Sequence, residues 1–221
     1  MRRINYLIVL LLIFCTFSCN RVRIIRNPIT IITSKPNHID SIEYEKFLTF
    51  FNGGTIRKVP DYYGGLNPKY NIAELWINTW YLDTINCMNE DNMNAVCMKI
   101  LIIKDGIYEL IDTKEKLKKT FAPIENEEEA LSYVSIYTYT EIRYDFPIKY
   151  YFRTFVKSIN KSYAIKKSNG YETITYDYDV FNCGPHTHYR VKSFVDFDGN
   201  VKIIEKVKIY ENPKEDNLCI D

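Results

Sequence analysis

The sequence lacks the features that mark several large classes of protein. Its 29 basic and 28 acidic residues give a formal charge of +1, without the basic excess typical of nucleic-acid-binding proteins. It has only three histidines and no CxxC pair, and it contains no GxSxG nucleophile motif. The composition therefore argues against a nucleic-acid partner, and no sequence motif indicates which reaction the protein could catalyse.

A hydrophobic run long enough to span a bilayer is also missing. The apolar run at Tyr6–Phe17 is shorter than the ~20 residues that a transmembrane helix needs, and it has the length of a signal-peptide core. Two arginines precede it, and Ser18 and Cys19 follow it. This pattern resembles the lipobox of bacterial lipoproteins, although Thr16 stands where that family usually has leucine.

The resemblance implies that residues 1–18 are a cleaved signal peptide and that Cys19 carries the lipid. Residues 19–40 would then be a tether, and the protein would lie in the bacterial cell envelope, anchored in a membrane and facing the periplasm or the cell surface. Arg21, Arg23 and Arg26 would lie near lipid headgroups, where each contributes ~1 kcal/mol to binding an anionic leaflet. The alternative is an uncleaved signal anchor, because positive charge after an apolar run opposes export.

Four cysteines remain for the folded body once Cys15 and Cys19 are assigned to the N-terminal segment. An even number of cysteines in an exported chain predicts disulfides, here two with three possible pairings. We favour Cys87–Cys97, which closes a polar loop, and Cys183–Cys219, which ties the C-terminal tail to a turn.

That turn lies in the stretch FNCGPHTHYR, which also holds two of the three histidines. On a strand, His186 and His188 would share one face and could bind a metal, with Cys183 as a third ligand. However, Arg190 and Lys192 would lie on the same face and repel a dication. We therefore predict a disulfide-braced turn with both histidines facing solvent, and no metal, cofactor or catalytic residue; a Cys183–His186 nucleophilic pair would need a reduced thiol.

The first half of the chain gives mixed signals for secondary structure. We predict a short strand at Ile29–Thr33 and a helix at Ile42–Phe51. The tyrosine-rich stretch Asp61–Asn71 is predicted as a packed surface loop, with a ligand-stacking loop as the alternative. Asn71–Ile85 fits either a helix capped by Asn71 with Glu74 or a strand.

Clearer patterns follow from Val96 onward. Val96–Ile103 and Ile107–Ile111 predict a hairpin around an Asp-Gly turn. Asp112–Phe121 predicts a short helix that starts at Asp112 or Thr113, and Asn126 to about Thr140 predicts a second helix with Asn126 as its N-cap. The stretch Asp145–Ile159 fits no regular element.

The C-terminal part alternates as strands do. Tyr171–Phe181, Thr187–Phe197 and Val201–Ile209 predict antiparallel strands, the last two joined by a second Asp-Gly turn. Glu205 falls on the predicted inward face, where a β-bulge or edge position would let it reach water; the alternative is a buried acid with a raised pKa.

Together these elements predict an α+β fold. N-terminal helices and a hairpin (residues 41–121) precede a helix followed by an antiparallel sheet of about four strands (residues 122–221), either as one domain or as two. The stretch Asn126–Tyr210, with its helix and the sequence FVDFDGNVKII, resembles secreted modules of the PepSY or cystatin-like kind. That resemblance implies binding or inhibition of another protein.

These observations lead to one functional hypothesis and two alternatives. The hypothesis is a membrane-anchored envelope lipoprotein that acts as a non-catalytic binding module for an envelope protein or peptide. The first alternative is an envelope hydrolase or metal-binding protein that uses the region of His186 and His188. The second is an inhibitor or immunity-type protein.

Overall fold

The computed structural model of the protein describes residues 22–25, 29–39, 54–78, 86–88, 96–179 and 182–220. The predicted signal peptide, Cys19 and the helix predicted at Ile42–Phe51 lie outside these residues. Within them the chain has an α+β fold, as predicted, with mainly antiparallel sheets and two α-helices.

The elements run along the chain in the following order. The first six strands are β1 (Arg23–Ile25), β2 (Asn37–His38), β3 (Gly54–Arg57), β4 (Asn71–Asn78), β5 (Val96–Lys104) and β6 (Ile107–Ile111). The helices α1 (Lys114–Phe121) and α2 (Glu127–Thr138) follow. The remaining strands are β7 (Arg153–Thr154), β8 (Ser158–Asn160), β9 (Tyr163–Lys167), β10 (Gly170–Tyr178), β11 (Asn182–Cys183), β12 (Thr187–Asp196), β13 (Val201–Glu211) and β14 (Cys219–Ile220).

Strands β2 to β6 form the N-terminal sheet, in the order β2-β4-β5-β6 with β3 also paired to β4. Residues 71–78 of the ambiguous segment form the strand β4, and residues 79–85 lie outside the described residues. The neighbours of β4 show why it is a strand: β5 pairs with its whole length, and β2 and β3 pair with its other side. The β5–β6 hairpin turns as predicted, with positive φ at Asp105 (50°) and Gly106 (77°).

The C-terminal sheet has five antiparallel strands in the order β7-β13-β12-β10-β9. The predicted long strands are confirmed as β10, β12 and β13. The sheet exceeds the predicted four strands because the two-residue β7 joins its edge at Tyr210 and Glu211.

Both helices begin at the predicted caps. The Thr113 side chain accepts a hydrogen bond from the backbone N–H of Lys116 (3.2 Å), and the Asn126 side chain accepts one from Glu129 (2.9 Å). Every residue of α2 from Glu129 to Ile136 is buried, which is the pattern of a helix covered on all sides. Neither helix of the described residues is long and apolar enough to cross a membrane.

The position of α2 follows from the main hydrophobic cluster. Its members come from the N-terminal sheet, both helices and the C-terminal sheet, and include Ile100, Leu117, Leu131, Tyr171 and Val195. The hydrophobic core is therefore continuous between the predicted N-terminal part (residues 41–121) and the predicted C-terminal part (residues 122–221). A second cluster covers the other face of the C-terminal sheet, where the segment 146–160 packs.

The segment Ile29–Thr33 is not a strand, so that prediction is wrong. Side-chain hydrogen bonds hold this segment in place, where the prediction expected the backbone hydrogen bonds of a strand. The Thr30 hydroxyl donates to the carbonyl of Ala164 (3.0 Å) and accepts from its N–H (2.8 Å), and Tyr144 donates to the carbonyl of Thr30 (2.8 Å). The N–H of Thr33 donates to Glu128 (3.1 Å).

Candidate functional site

The disulfide Cys183–Cys219 closes the turn that the sequence singled out, with an S–S distance of 2.03 Å. It joins β11 to β14, which pair as a separate two-stranded unit. Gly184 donates its N–H to the carbonyl of Leu218 (2.9 Å), and a Cβ at position 184 would lie 2.1 Å from the carbonyl oxygen of Glu215. The disulfide-closed turn therefore requires glycine at position 184. The second predicted pair, Cys87–Cys97, is bonded as well.

His186 is buried, with 1% of its surface exposed, so the prediction that it faces solvent is wrong. It precedes the first residue of β12, and strand alternation therefore does not apply to it. Its Nδ1 lies 3.1 Å from the carbonyl oxygen of Asp179, and its Nε2 lies 3.0 Å from that of Leu218. Because a carbonyl oxygen faces each ring nitrogen, neither nitrogen is open to a metal ion.

His188 is the middle ring of a stacked column. Its ring lies 4.1 Å from the Tyr178 ring at 14° and 4.2 Å from the Tyr210 ring at 24°. The register of β10, β12 and β13 places these three residues side by side. Phe152 extends the column by stacking on Tyr210 at 5.6 Å. The ring is half-buried, so the predicted solvent-facing position is wrong for His188 too.

Burial within the column, with a smaller effect from the charge of Arg143, lowers the pKa of His188 to about 4. The imidazole is therefore neutral at pH 7. Tyr178 donates to Glu215 (3.1 Å), and burial followed by the charge of that carboxylate raises the pKa of Tyr178 to about 12. Arg143 pairs with Glu141 (2.7 Å) at the rim of the column.

The two cations predicted on the histidine face each have a carboxylate partner. Arg190 pairs with Glu205 at 3.3 Å, and Lys192 pairs with Glu172 at 3.0 Å. The Glu205 side chain is 49% exposed; a register shift lies beside its partner Lys192, and no described strand pairs with the outer edge of β13 there. The prediction that a bulge or an edge position lets Glu205 reach water is thereby confirmed. No cluster of three or more metal-ligating side chains forms among the described residues.

Three carboxylates of the described residues are buried although the sequence did not single them out as buried: Glu74, Glu129 and Glu211. Glu74 accepts hydrogen bonds from the Tyr63 hydroxyl (2.8 Å) and the Trp76 indole (3.0 Å). Tyr63 is 6% exposed, which confirms the packed-loop interpretation of the tyrosine-rich stretch at this residue. Burial raises the pKa of Glu129 to about 7 although its Oε2 accepts the N–H of Glu125 (2.8 Å). The sequence offered no signal for Glu74, which occupied a predicted capping position.

A cleft of about 790 Å³ lies away from the histidines, between the segment 29–34 and the start of α2. Its lining includes Ile29, Ile31, Thr33, Lys69, Asn126 and Glu128. Glu128 is already bonded to the backbone and hydroxyl of Thr33 (3.1 and 3.2 Å). The Glu128 carboxylate therefore serves to hold this segment in place.

The outer edge of β13 is the most accessible apolar feature of the C-terminal sheet. Strand β7 covers only its last two residues, and no other described strand pairs with that edge from Val201 to Lys208. Ile203 and Ile204 are 53% and 52% exposed. An unpaired strand edge with apolar side chains is a template for a further strand.

No family model, curated protein or solved structure matches this chain.

Proposed function

We propose that the protein is a lipoprotein of the cell envelope whose body acts as a non-catalytic binding module. The unpaired edge of β13 carries this proposal. An extended segment of a partner can add to such an edge through backbone hydrogen bonds, and Ile203 and Ile204 provide adjacent apolar contacts. The flanking lysines and the two register shifts of β13 are features that limit indiscriminate pairing.

The contacts of the FNCGPHTHYR turn support binding over catalysis. Cys183 is in a disulfide, His186 lies between two carbonyl oxygens, and His188 lies between two tyrosine rings. A nucleophilic cysteine needs a free thiolate, and a general base needs access to a substrate. These three residues stabilise the end of the C-terminal sheet.

The Cys19 motif and the disulfides support export and anchoring. Disulfides persist in oxidising compartments and are rare in the cytosol. Two of them join the four cysteines of the body in the described residues. Labelling cells with a clickable fatty acid tests the anchor: we expect the full chain to be labelled and the Cys19→Ala variant to lose the label.

Photocrosslinking in the producing cells tests the binding surface. We expect a crosslinker at Ile204 of the full chain to give a discrete adduct with an envelope protein or peptide. Ile107 is the matched control, since it is 65% exposed and lies on the edge strand β6 of the other sheet. An Ile203→Lys change should abolish the adduct at position 204.

The opposite result would favour a catalytic protein. Equal adducts at positions 204 and 107, together with an envelope hydrolase activity lost on His186→Ala in a protein that remains folded, would overturn the binding-module proposal. Bound zinc that depends on His186 would do the same.

A further inference from the structure

Only a short stretch of chain separates Cys19 from the folded body. Strand β1 begins at Arg23 and pairs in parallel with β8, and the N–H of Arg23 donates to the carbonyl of Lys157 (2.9 Å). Four extended residues reach about 14 Å at most, since each adds roughly 3.3–3.6 Å. A lipid on Cys19 would therefore hold β1 close to the headgroup layer of the membrane, which is roughly 5–8 Å deep on each side.

The chain next to β1 is basic. The stretch KYYFRTFVKSINK, residues 149–161, has four basic residues and no acidic one. Arg153 is paired with Glu211 (3.1 Å) and with Asp216. The three lysines of the stretch (Lys149, Lys157 and Lys161) have no carboxylate partner among the described residues. This charge is available to an external anionic surface.

The same stretch exposes aromatic side chains. Tyr150 is 93% exposed and Phe155 is 49% exposed. Two further lysines, from β13 and from the residues after it, lie over rings of this stretch: Lys208 is 4.3 Å from the Phe155 ring and Lys214 is 5.0 Å from the Tyr151 ring. Exposed tyrosine and phenylalanine with surrounding lysines is the composition of protein surfaces that lie at the membrane–water interface.

We infer that the body lies directly on an anionic membrane, with β1 and the stretch 149–157 against the lipid headgroups. We call this surface the basic aromatic face. The inference rests on the proposed lipidation of Cys19 and adds an orientation to it. It also leaves the outer edge of β13 between Val201 and Lys208 for a protein partner.

A lipid surface explains these features better than a protein partner does. The position of Arg23 brings this part of the body to the membrane regardless of what else binds. The cations come from three parts of the chain, which suits a continuous anionic surface: Arg23 from β1, Lys149 and Lys157 from the stretch 149–157, and Lys214 from the residues after β13. Each contributes about a fivefold gain in affinity for an anionic leaflet, from ~1 kcal/mol per basic residue.

Fluorescence quenching by brominated lipids tests the orientation. The lipid-modified full chain would be reconstituted into vesicles of phosphatidylcholine and phosphatidylglycerol with bromine on the upper acyl chain. We expect a Tyr150→Trp variant to lose at least about half of its added emission, because side chains of interfacial segments reach the headgroup–acyl boundary. Wild-type protein in the same vesicles supplies the background of the two native tryptophans.

Two controls distinguish the possible outcomes. Ile107→Trp, at an exposed site on β6 of the N-terminal sheet, should keep its emission. Adding Lys149→Glu and Lys157→Glu to the Tyr150→Trp variant should abolish quenching at position 150 while fatty-acid labelling persists. Labelled protein without quenching at position 150 would overturn the inference and leave the proposed function intact. Loss of the label in wild-type protein would overturn both, and a crosslink from position 150 to an envelope protein without quenching would show a protein partner on this face.

Discussion

The two faces of the C-terminal sheet are covered by different kinds of structure. One face packs against α2, and its central side chains, such as Tyr171, Thr173 and Val195, have no exposed surface. The other face is covered by the segment 146–160, which contains only the short strands β7 and β8. Phe146 and Tyr176 are buried at its centre, but Phe152 and Val156 are only partly buried.

Because of this difference, the residues that stabilise the fold and the residues that a ligand could reach lie on different faces of the sheet. A helix that is buried on all sides lies within the apolar cluster to which both sheets contribute, so we expect most of the hydrophobic stabilisation to lie there. The irregular segment covers the centre of its face and leaves the rim open. The half-buried His188 column, the exposed Tyr150 and the basic aromatic face all lie on this less complete side.

The largest expected effect comes from truncating one apolar side chain on each side. Leu131→Ala removes a side chain of α2 with no exposed surface, and we expect a loss of about 4 kcal/mol in the free energy of unfolding. Val156→Ala removes a partly buried side chain on the other face, and a loss of about 1 kcal/mol should follow. Urea denaturation of both variants measures the difference. Equal losses would mean that the irregular segment stabilises the protein as much as the helix does.

The same comparison explains how much of the fold the sequence could predict. Elements with local signals were predicted well: Asn126 and Thr113 cap their helices, and Asp105-Gly106 forms its turn. The long strands β10, β12 and β13 follow from alternation. These patterns depend on neighbouring residues in the chain, so that a single sequence contains the information.

The parts that failed depend on distant contacts. Asp145–Ile159 has no regular period, and its position follows from packing on Ile174 and Tyr176. His186 is buried because carbonyls of Asp179 and Leu218 reach it from both sides. The predicted disulfide implied that Cys183 and Cys219 meet, but it gave no information on where the His186 ring beside them lies. The stacked column likewise needed the register of three strands.

A buried acid on the helix side gives the next largest effect. The pKa of Glu129 is raised to about 7 in the folded protein, above the ordinary 4.5, chiefly through burial. The folded state therefore holds its proton more tightly, and stability should fall as the pH rises from about 4.5 to 7, by about 3 kcal/mol in total. Glu129→Gln keeps a carbonyl oxygen for the N–H of Glu125 and cannot ionise.

Thermal unfolding between pH 4 and pH 8 checks this prediction. The wild-type protein and the Glu129→Gln variant should be similar at pH 4, and the variant should be the more stable of the two at pH 8. A variant that is less stable at every pH would indicate that the carboxylate is stabilised in the fold by groups other than Glu125 and Asn126.

The histidine on the other face should show the opposite dependence on pH. The pKa of His188 is lowered to about 4 from an ordinary 6.5, so that the unfolded chain binds a proton more readily than the folded protein does. Its contribution to stability is present above pH 6.5 and is lost as the pH falls towards 4. Because the ring is only half-buried, we expect a loss on the order of 2 kcal/mol, which is less than the full shift would give.

His188→Phe isolates this effect because phenylalanine keeps a flat ring between Tyr178 and Tyr210 and cannot be protonated. At pH 8 the variant should match the wild-type protein within about 1 kcal/mol, since both rings are neutral and apolar contact is retained. At pH 4 the variant should be the more stable, and the double variant with Glu129→Gln should have the flattest pH profile of the four proteins. If His188→Phe retains the full decline between pH 6.5 and 4, the proton responsible binds elsewhere, and the contrast between the two faces would rest on packing alone.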